Sequence, residues 1–222
     1  MALEKTIDVL GIGNAIIDVL ADADDAFLLQ HNLNKGSMTL VDEEASSNIY
    51  SSMKNKIQMS GGSAANTIYG LAQLGCRSAF IGKRSNDELG NIFYSDLTKS
   101  EIIFNTSPLD TGESSARCLI LVTSDAERTM ATFLGSSSKL TVEDINEEEI
   151  EAAKIIYLEG YLFDPPEAQE AFITAAEFAK KHNTKVSFTL SDAFCVERHK
   201  SKMRAFVQNN VDILFCNEGE VK

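Results

Sequence analysis

The sequence predicts an α/β fold: a mostly parallel sheet flanked by helices, with a small β-sheet projecting from it. From Ser63 onward, helical and strand patterns alternate, the order that a parallel sheet with crossover helices produces. Residues 16–41 and 104–134 break that alternation. Both are strand-rich without intervening helices, and they are assigned to the projecting sheet. The α/β body is then residues 1–15, 42–103 and 135–222. Composition agrees: 222 residues, 44% hydrophobic and 24% charged, suffice to bury a sizeable core.

Each element has a local reason. Ile7 to Leu10 is a short apolar strand ending at Gly11 and Gly13. AIIDVLADADDAFLLQHNL is first apolar and then acidic. A turn at Lys35–Gly36 leads to a strand at Met38 to Val41, and Asp42 is an N-cap candidate for a helix running towards Met53. In SGGSAANTIYGLAQLGC, Gly61 and Gly62 break the chain, Ser63 is an N-cap candidate and Gly75 stands at the C′ position. Ala65, Ile68, Leu71 and Ala72 form a buried stripe by helical spacing, and Asn66 points away from it. Ser78 to Gly82 is a strand, DELGNIFYSDLTKS a helix and EIIFN a strand. ARCLILVTSDAERTMATFLG is a hairpin turning at Ser124 to Glu127. TVEDINEEEIEAAK is helical, with Asn146 and Glu149 at capping-box spacing. IIYLEG is a strand, and DPPEAQEAFITAAEFAKKH is an amphipathic helix with prolines where they are tolerated. KVSFTLS, VERHKSKMRAFVQNN and VDILFCN read as strand, helix and last strand.

Charge and cysteines narrow the function classes. A net charge of -13 argues against nucleic acid, which needs clustered Lys and Arg. No apolar run approaches the roughly 18 residues that span a bilayer. The N-terminal MALEKTIDVL lacks the extended apolar core of a signal peptide. Cys76, Cys118, Cys195 and Cys216 are scattered without a C-x-x-C pair, as free thiols of a cytoplasmic protein are.

Two glycine-rich segments could carry chemistry. GIGNAI has the first two glycines of a dinucleotide fingerprint, but Ile16 stands where the third glycine is needed for close helix–sheet packing. The other reading is a turn presenting Asn14 and Asp18 at the C-terminal edge of a sheet, where ligands of open α/β folds gather. A carboxylate there can accept from two adjacent sugar hydroxyls, although Asp18 alone is equally a turn residue. In GGSAAN, glycines before a helix N-terminus let a ligand approach free N–H groups, with Asn66 one turn in. No GxxxxGK[ST] follows, so this is not a P-loop, and a capped core helix after a loop is the plain alternative.

GIGNAIIDV, GGSAANTIYGLAQLG and IGKRSNDELG, in this order, resemble the ribokinase-like (PfkB) carbohydrate and nucleoside kinases. The first signature of that family is matched from Gly61 to Gly90 through Asn66, Gly75 and Gly82. GSMTLVDE and SDAERTMATFLG are similar to lid strands of its adenosine kinase branch, and CNEGE is similar to its N-x-x-E motif. The resemblance implies a three-layer α/β/α domain with a β-sheet lid, and ATP-dependent, Mg²⁺-assisted phosphoryl transfer to a sugar or nucleoside hydroxyl. Adenosine or a similar ribosyl compound is the favoured acceptor, with fructose, ribose or another nucleoside behind it. Asp18 would hold vicinal hydroxyls with Asn14 beside it, and Gly61, Gly62 and Asn66 would complete the cage. Met38 and the strand near Thr132 to Leu134 would line the lid. Arg128, by itself a surface turn charge, would swing toward the transferring phosphoryl on closure. Phe194 would pack against a base or sugar face, or else simply into the core. Asn217 and Glu220 would order Mg²⁺ and the waters around the ATP phosphates, Glu220 through water. The assembly would be a monomer or a homodimer.

One part of the pattern is absent. In the family a G-A-G-D supplies the general base and an anion hole, and no GAGD or GxGD occurs here. The chain therefore resembles the N-terminal two-thirds of such a kinase, and alone it is expected to lack normal turnover. The competing expectations are a non-catalytic sugar or nucleoside binder built on the kinase fold, and a nicotinamide enzyme resting on GxG.

Overall fold

Strand β1 (Ile7–Ile12) is buried on both faces, with Leu10 and Ile12 on one and Val9 on the other. Such a strand belongs inside a parallel sheet, and the computed structural model, which describes residues 5–110 and 112–221, puts it there. From β1 the chain enters β2 (Ile16–Asp22), α1 (Asp25–Gln30), β3 (Met38–Leu40), α2 (Glu43–Ser52) and β4 (Ile57–Gly61). It returns through α3 (Ser63–Gln73) to β5 (Ser78–Ile81), and α4 (Glu88–Lys99) precedes the hairpin β6 (Ala116–Val122) and β7 (Arg128–Phe133). Then come α5 (Glu147–Ala152), β8 (Ala153–Glu159), α6 (Pro166–Lys181), β9 (Lys185–Thr189), α7 (Ala193–Asn210), β10 (Ile213–Phe215) and α8 (Glu218–Val221).

The strands form two sheets. The first, in the order β10-β9-β8-β1-β5, is parallel throughout. The second, β3-β7-β6-β2-β4, is mixed, with β2–β4 and β6–β7 antiparallel. One face of the first sheet packs on α5, α6 and α7, where Phe163, Phe172, Phe188 and Phe206 meet edge-on or tilted. Such ring pairs add about 0.5–1.5 kcal/mol each beyond their burial. A second core joins Phe80 of the first sheet and Ala64, Ala65 and Ile68 of α3 to Leu89, Phe93 and Leu97 of α4 and to Ile17, Val19, Leu119 and Leu121 of the second sheet.

Several local expectations are corrected. Residues 57–61, assigned above to the α/β body, pair with β2 as an edge of the second sheet. The segment 16–41 does contain a helix, α1, capped by Asp24, whose side chain accepts from Phe27 N–H. EIIFN is no strand; Ile103 makes only an isolated bridge to Ala79. The α3 N-cap is Gly62 rather than Ser63, because φ +95° at Gly62 turns the chain one residue earlier. Only half of the capping box at Asn146 forms. Asn146 accepts from Glu148 and Glu149 N–H, while the Glu149 carboxylate turns to the Asn105 amide at 2.8 Å.

Candidate active site

Strand order locates the site. After β1, the chain next joins the first sheet at β5 on one side of β1 and then at β8 on the other, so the strand order reverses there. The crevice beyond the carboxyl ends of such strands is where open α/β sheets take ligands. Two residues meet there. Asn14 follows β1, and Glu159 ends β8. Glu159 Oε1 accepts from Asn14 N–H and from Asn14 Nδ2, both at 2.7 Å. Its Oε2 accepts from Ala64 N–H at 2.6 Å. Complete burial pushes the Glu159 carboxyl above its ordinary range, and these three donors oppose the shift. The Asn14 amide, expected to serve the ligand, thus donates to Glu159.

Asp18 stands one strand further on. Ile16, Asp18 and Leu20 share one face of β2, and register extends that face across the second sheet. One cross-strand row runs Met59, Asp18, Cys118, Thr132, Leu40; the next runs Ile57, Leu20, Ile120, Met130, Met38. Asp18 is therefore set in an apolar, sulfur-rich surface. Among the described residues its carboxylate forms no hydrogen bond or ion pair, and burial alone raises it to about 6. Its neighbour Cys118 is raised to about 11, mainly by burial, and accepts a hydrogen bond from Thr132 Oγ1 at 3.4 Å. Gly61 is required beside Asp18: a Cβ there would lie 2.3 Å from Asp18 Cγ.

Gly62 turns the chain from β4 into α3, with the Asn14 carbonyl only 2.6 Å from where a Cβ would be. Asn66 faces outward one turn in, and it lines a cleft of about 610 Å³ with Met59, Ser60, Tyr69 and Asp96. Another cavity of about 460 Å³ lies at the opposite, N-terminal ends of β9 and β10, between Lys180, Lys185, Asn209 and Asp212. It is remote from this chemistry.

The remaining predicted residues divide. Met38 is exposed on the Asp18 face, in the row beside it. Arg128 shares that face but stands apart. It pairs with Val122, which pairs with Asp22, four positions (18 to 22) along β2 from Asp18, or about 13 Å. Phe194 is 72% exposed in the first turn of α7, so the core-packing alternative is corrected. Asn217 and Glu220 make a capping box. Asn217 Oδ1 accepts from Glu220 N–H at 3.0 Å, and the Glu220 carboxylate accepts from Asn217 Nδ2 at 2.7 Å and Asn217 N–H at 3.1 Å.

A family profile described as "pfkB family carbohydrate kinase" matches residues 41–222. The chain belongs to the pfkB family. This pfkB chain is 30% identical over 224 residues to guanosine-inosine kinase of Escherichia coli (strain K12), an alignment covering 96% of this chain and 52% of that protein. It superposes on the adenosine kinase from Sinorhizobium meliloti with a TM-score of 0.88 at 43% identity, covering 96% of this chain and 66% of the other. A probable sugar kinase protein from Rhizobium etli CFN 42 gives 0.89 at 39%, covering 98% and 66%. The chain thus spans about half the length of the curated relative and 66% of the solved ones. The ribokinase-like α/β fold with its parallel sheet is shared with them.

Kinases of this family work on ATP with Mg²⁺. Among the described residues no group of three or more His, Cys, Asp or Glu could hold a metal directly. Glu220 is a single carboxylate locked by its own cap, which suits a cation that keeps its waters. Glu159 was missed in the sequence. Its signal was a lone acid closing the apolar run IIYLE at the carboxyl end of a parallel strand.

Proposed function

We propose that the protein transfers the terminal phosphoryl group of ATP, with Mg²⁺, to a hydroxyl of a nucleoside or sugar, and that adenosine or a similar ribosyl compound is the favoured acceptor. The observation that carries this reading is Asp18, a half-buried carboxylate that has no partner among the described residues and is held against Gly61. Two vicinal hydroxyls can both donate to one carboxylate and replace its lost hydration. The surrounding Met38, Met59 and Met130 favour a nucleoside over a free sugar, because thioethers pack against flat rings and offer a sugar no hydrogen bonds. The relatives described as guanosine-inosine kinase and adenosine kinase point the same way.

Each part has a role in this reading. Asp18 orients the hydroxyls, Gly61 and Gly62 admit the sugar to the backbone, and Asn66 reaches it from α3. Met38 and Thr132 lie on the covering sheet. Glu220 with Asn217 orders Mg²⁺ through water, and Mg²⁺ neutralises the phosphate charge. Arg128 reaches the phosphates only if the second sheet moves, and Phe194 meets a base only as a closed form covers α7. Phosphoryl transfer needs positioning more than covalent chemistry. It also needs a base, and the motif that carries it in the family, G-A-G-D, is absent from these 222 residues. They are therefore proposed to bind the acceptor and to lack turnover by themselves. The protein is proposed to be cytoplasmic, monomeric or homodimeric, and without a nucleic-acid or membrane partner; among the described residues no helix is long and apolar enough to cross a membrane.

Calorimetry on the full-length natural protein tests the acceptor. Adenosine is expected to bind more tightly than inosine, guanosine, ribose or fructose, and Asp18→Ala to weaken it by about 30–100-fold, as loss of a charged hydrogen-bonding partner does. Wild-type protein that binds none of these compounds, or Asp18→Ala that binds adenosine unchanged, sinks the proposal. Binding without phosphorylation would make it a binder on the kinase fold.

A further inference from the structure

The chain passes between its two sheets at Gly13–Ala15, leaving β1 for β2, and at Gly62, leaving β4 for α3. These crossings deliver Asp18 and the start of α3. Neither is secured locally. α3 has a glycine N-cap and no side-chain cap of its own, and Gly13 contributes no side chain. A third segment secures both. Glu159, fully buried at the end of β8, holds Asn14 N–H and Nδ2 through one oxygen and Ala64 N–H through the other. Gly13 lies so close that a Cβ would come 2.7 Å from Glu159 Cδ.

We propose that Glu159 is a positioning residue that ties together two of the inter-sheet crossings, β1 to β2 and β4 to α3, so that Asp18 and the first turn of α3 face one ligand. It is 0% exposed and both its oxygens are taken by protein donors, so it acts through Asn14 and Ala64. A carboxylate suits the task. It accepts at both oxygens, and it lies at a helix N-terminus, which favours negative charge. A general contribution to stability would be a different role. It would loosen the whole molecule evenly, whereas a tie between two crossings loosens those crossings first.

Glu159→Gln keeps the volume but turns one acceptor into an NH₂ that must face an N–H donor. Hydrogen exchange at residues 13–16 and 62–66 is expected to quicken about tenfold, the loss of one charge-assisted bond, while β1, β8 and β9 stay protected. Adenosine affinity in the full-length natural protein is expected to fall about tenfold with ATP affinity unchanged. Exchange that rises evenly across the first sheet, or does not rise at the crossings, overturns the proposal, as does an equal loss of both affinities. If Glu159→Gln does not fold, Asn14→Ala removes one of the three bonds and is expected to show the same local pattern more weakly; its absence also overturns the proposal. The affinity arm rests on the acceptor reading: wild-type protein that binds no nucleoside or sugar refutes that reading, and hydrogen exchange alone then decides for or against the tie.

Discussion

At the scale of single residues, Asp18 and Glu159 are two carboxylates with opposite situations. Glu159 is fully buried with three donors; Asp18 is half-buried and, among the described residues, has no donor. An acid raised to about 6 in the folded state holds its proton more tightly there than in the unfolded chain, where Asp titrates near 3.9. Its contribution to stability is therefore greatest below about pH 4 and falls as pH rises through 6. Allowing for the water that reaches it, the ionised form costs about 2 kcal/mol at neutral pH. Asp18→Asn is thus expected to be more stable than wild type at pH 7.5 and equal to it near pH 4, in urea titrations at both. An unchanged midpoint at pH 7.5 would mean that the carboxylate is not desolvated. A ligand whose hydroxyls donate to the ionised form should bind more tightly as pH rises from 5 to 7. Asp18 could be singled out in the sequence as a candidate because its motif lies within nine residues, Gly11 to Val19. Glu159 was not, because its donors lie 145 and 95 positions away and only the crossing geometry brings them together.

At the scale of elements, regular pattern was easier to read than the places where the chain changes sheets. Most helices and strands from Ser78 onward follow their periodicities, EIIFN and the first part of TVEDINEEEIEAAK excepted, and the hairpin of β6 and β7 was visible from its polar turn. β4 was lost because IQMSG runs straight into the glycines, and an edge strand with Ile57 and Met59 exposed looks like loop. Asn217 and Glu220 read as a ligand motif, and the structure shows that the same spacing is first a helix cap. The second sheet is the element whose movement the proposed chemistry requires. Asp18 and Arg128 lie on one face of it but at different distances from α3, so they should fail differently. Arg128→Ala in the full-length natural protein is expected to lower kcat by about tenfold or more while leaving the acceptor KM within about twofold, the pattern of a group that acts only in the transition state. Steady-state kinetics separates the cases. Normal kcat, or an acceptor KM raised as by Asp18→Ala, would remove Arg128 from phosphoryl transfer.

At the scale of the whole molecule, the two sheets end differently. The second sheet terminates at β4, where Ser60 N–H and Oγ donate to the Asp96 carboxylate, so part of that edge is already occupied by a side chain. One edge of the first sheet is β10, and among the described residues no strand covers it. Ile213, Leu214 and Phe215 are 40%, 39% and 54% exposed, so apolar side chains stand in water on both faces of one strand. A strand apolar on both faces is built for the inside of a parallel sheet. Its free N–H and C=O groups can pair with any strand that arrives. The 222-residue polypeptide by itself is accordingly expected to self-associate with rising concentration, in sedimentation velocity at low and high loading. Replacing Ile213 and Leu214 together with lysine places charge on both faces and should return it to monomer, because edge lysines oppose strand pairing. The melting temperature should change little, since neither side chain is in the buried cores. A wild-type polypeptide that stays monomeric at high loading would show that this edge is not adhesive. Self-association that survives both lysines would move the interface to the apolar face of the second sheet around Met38, Leu40, Ile57 and Met59.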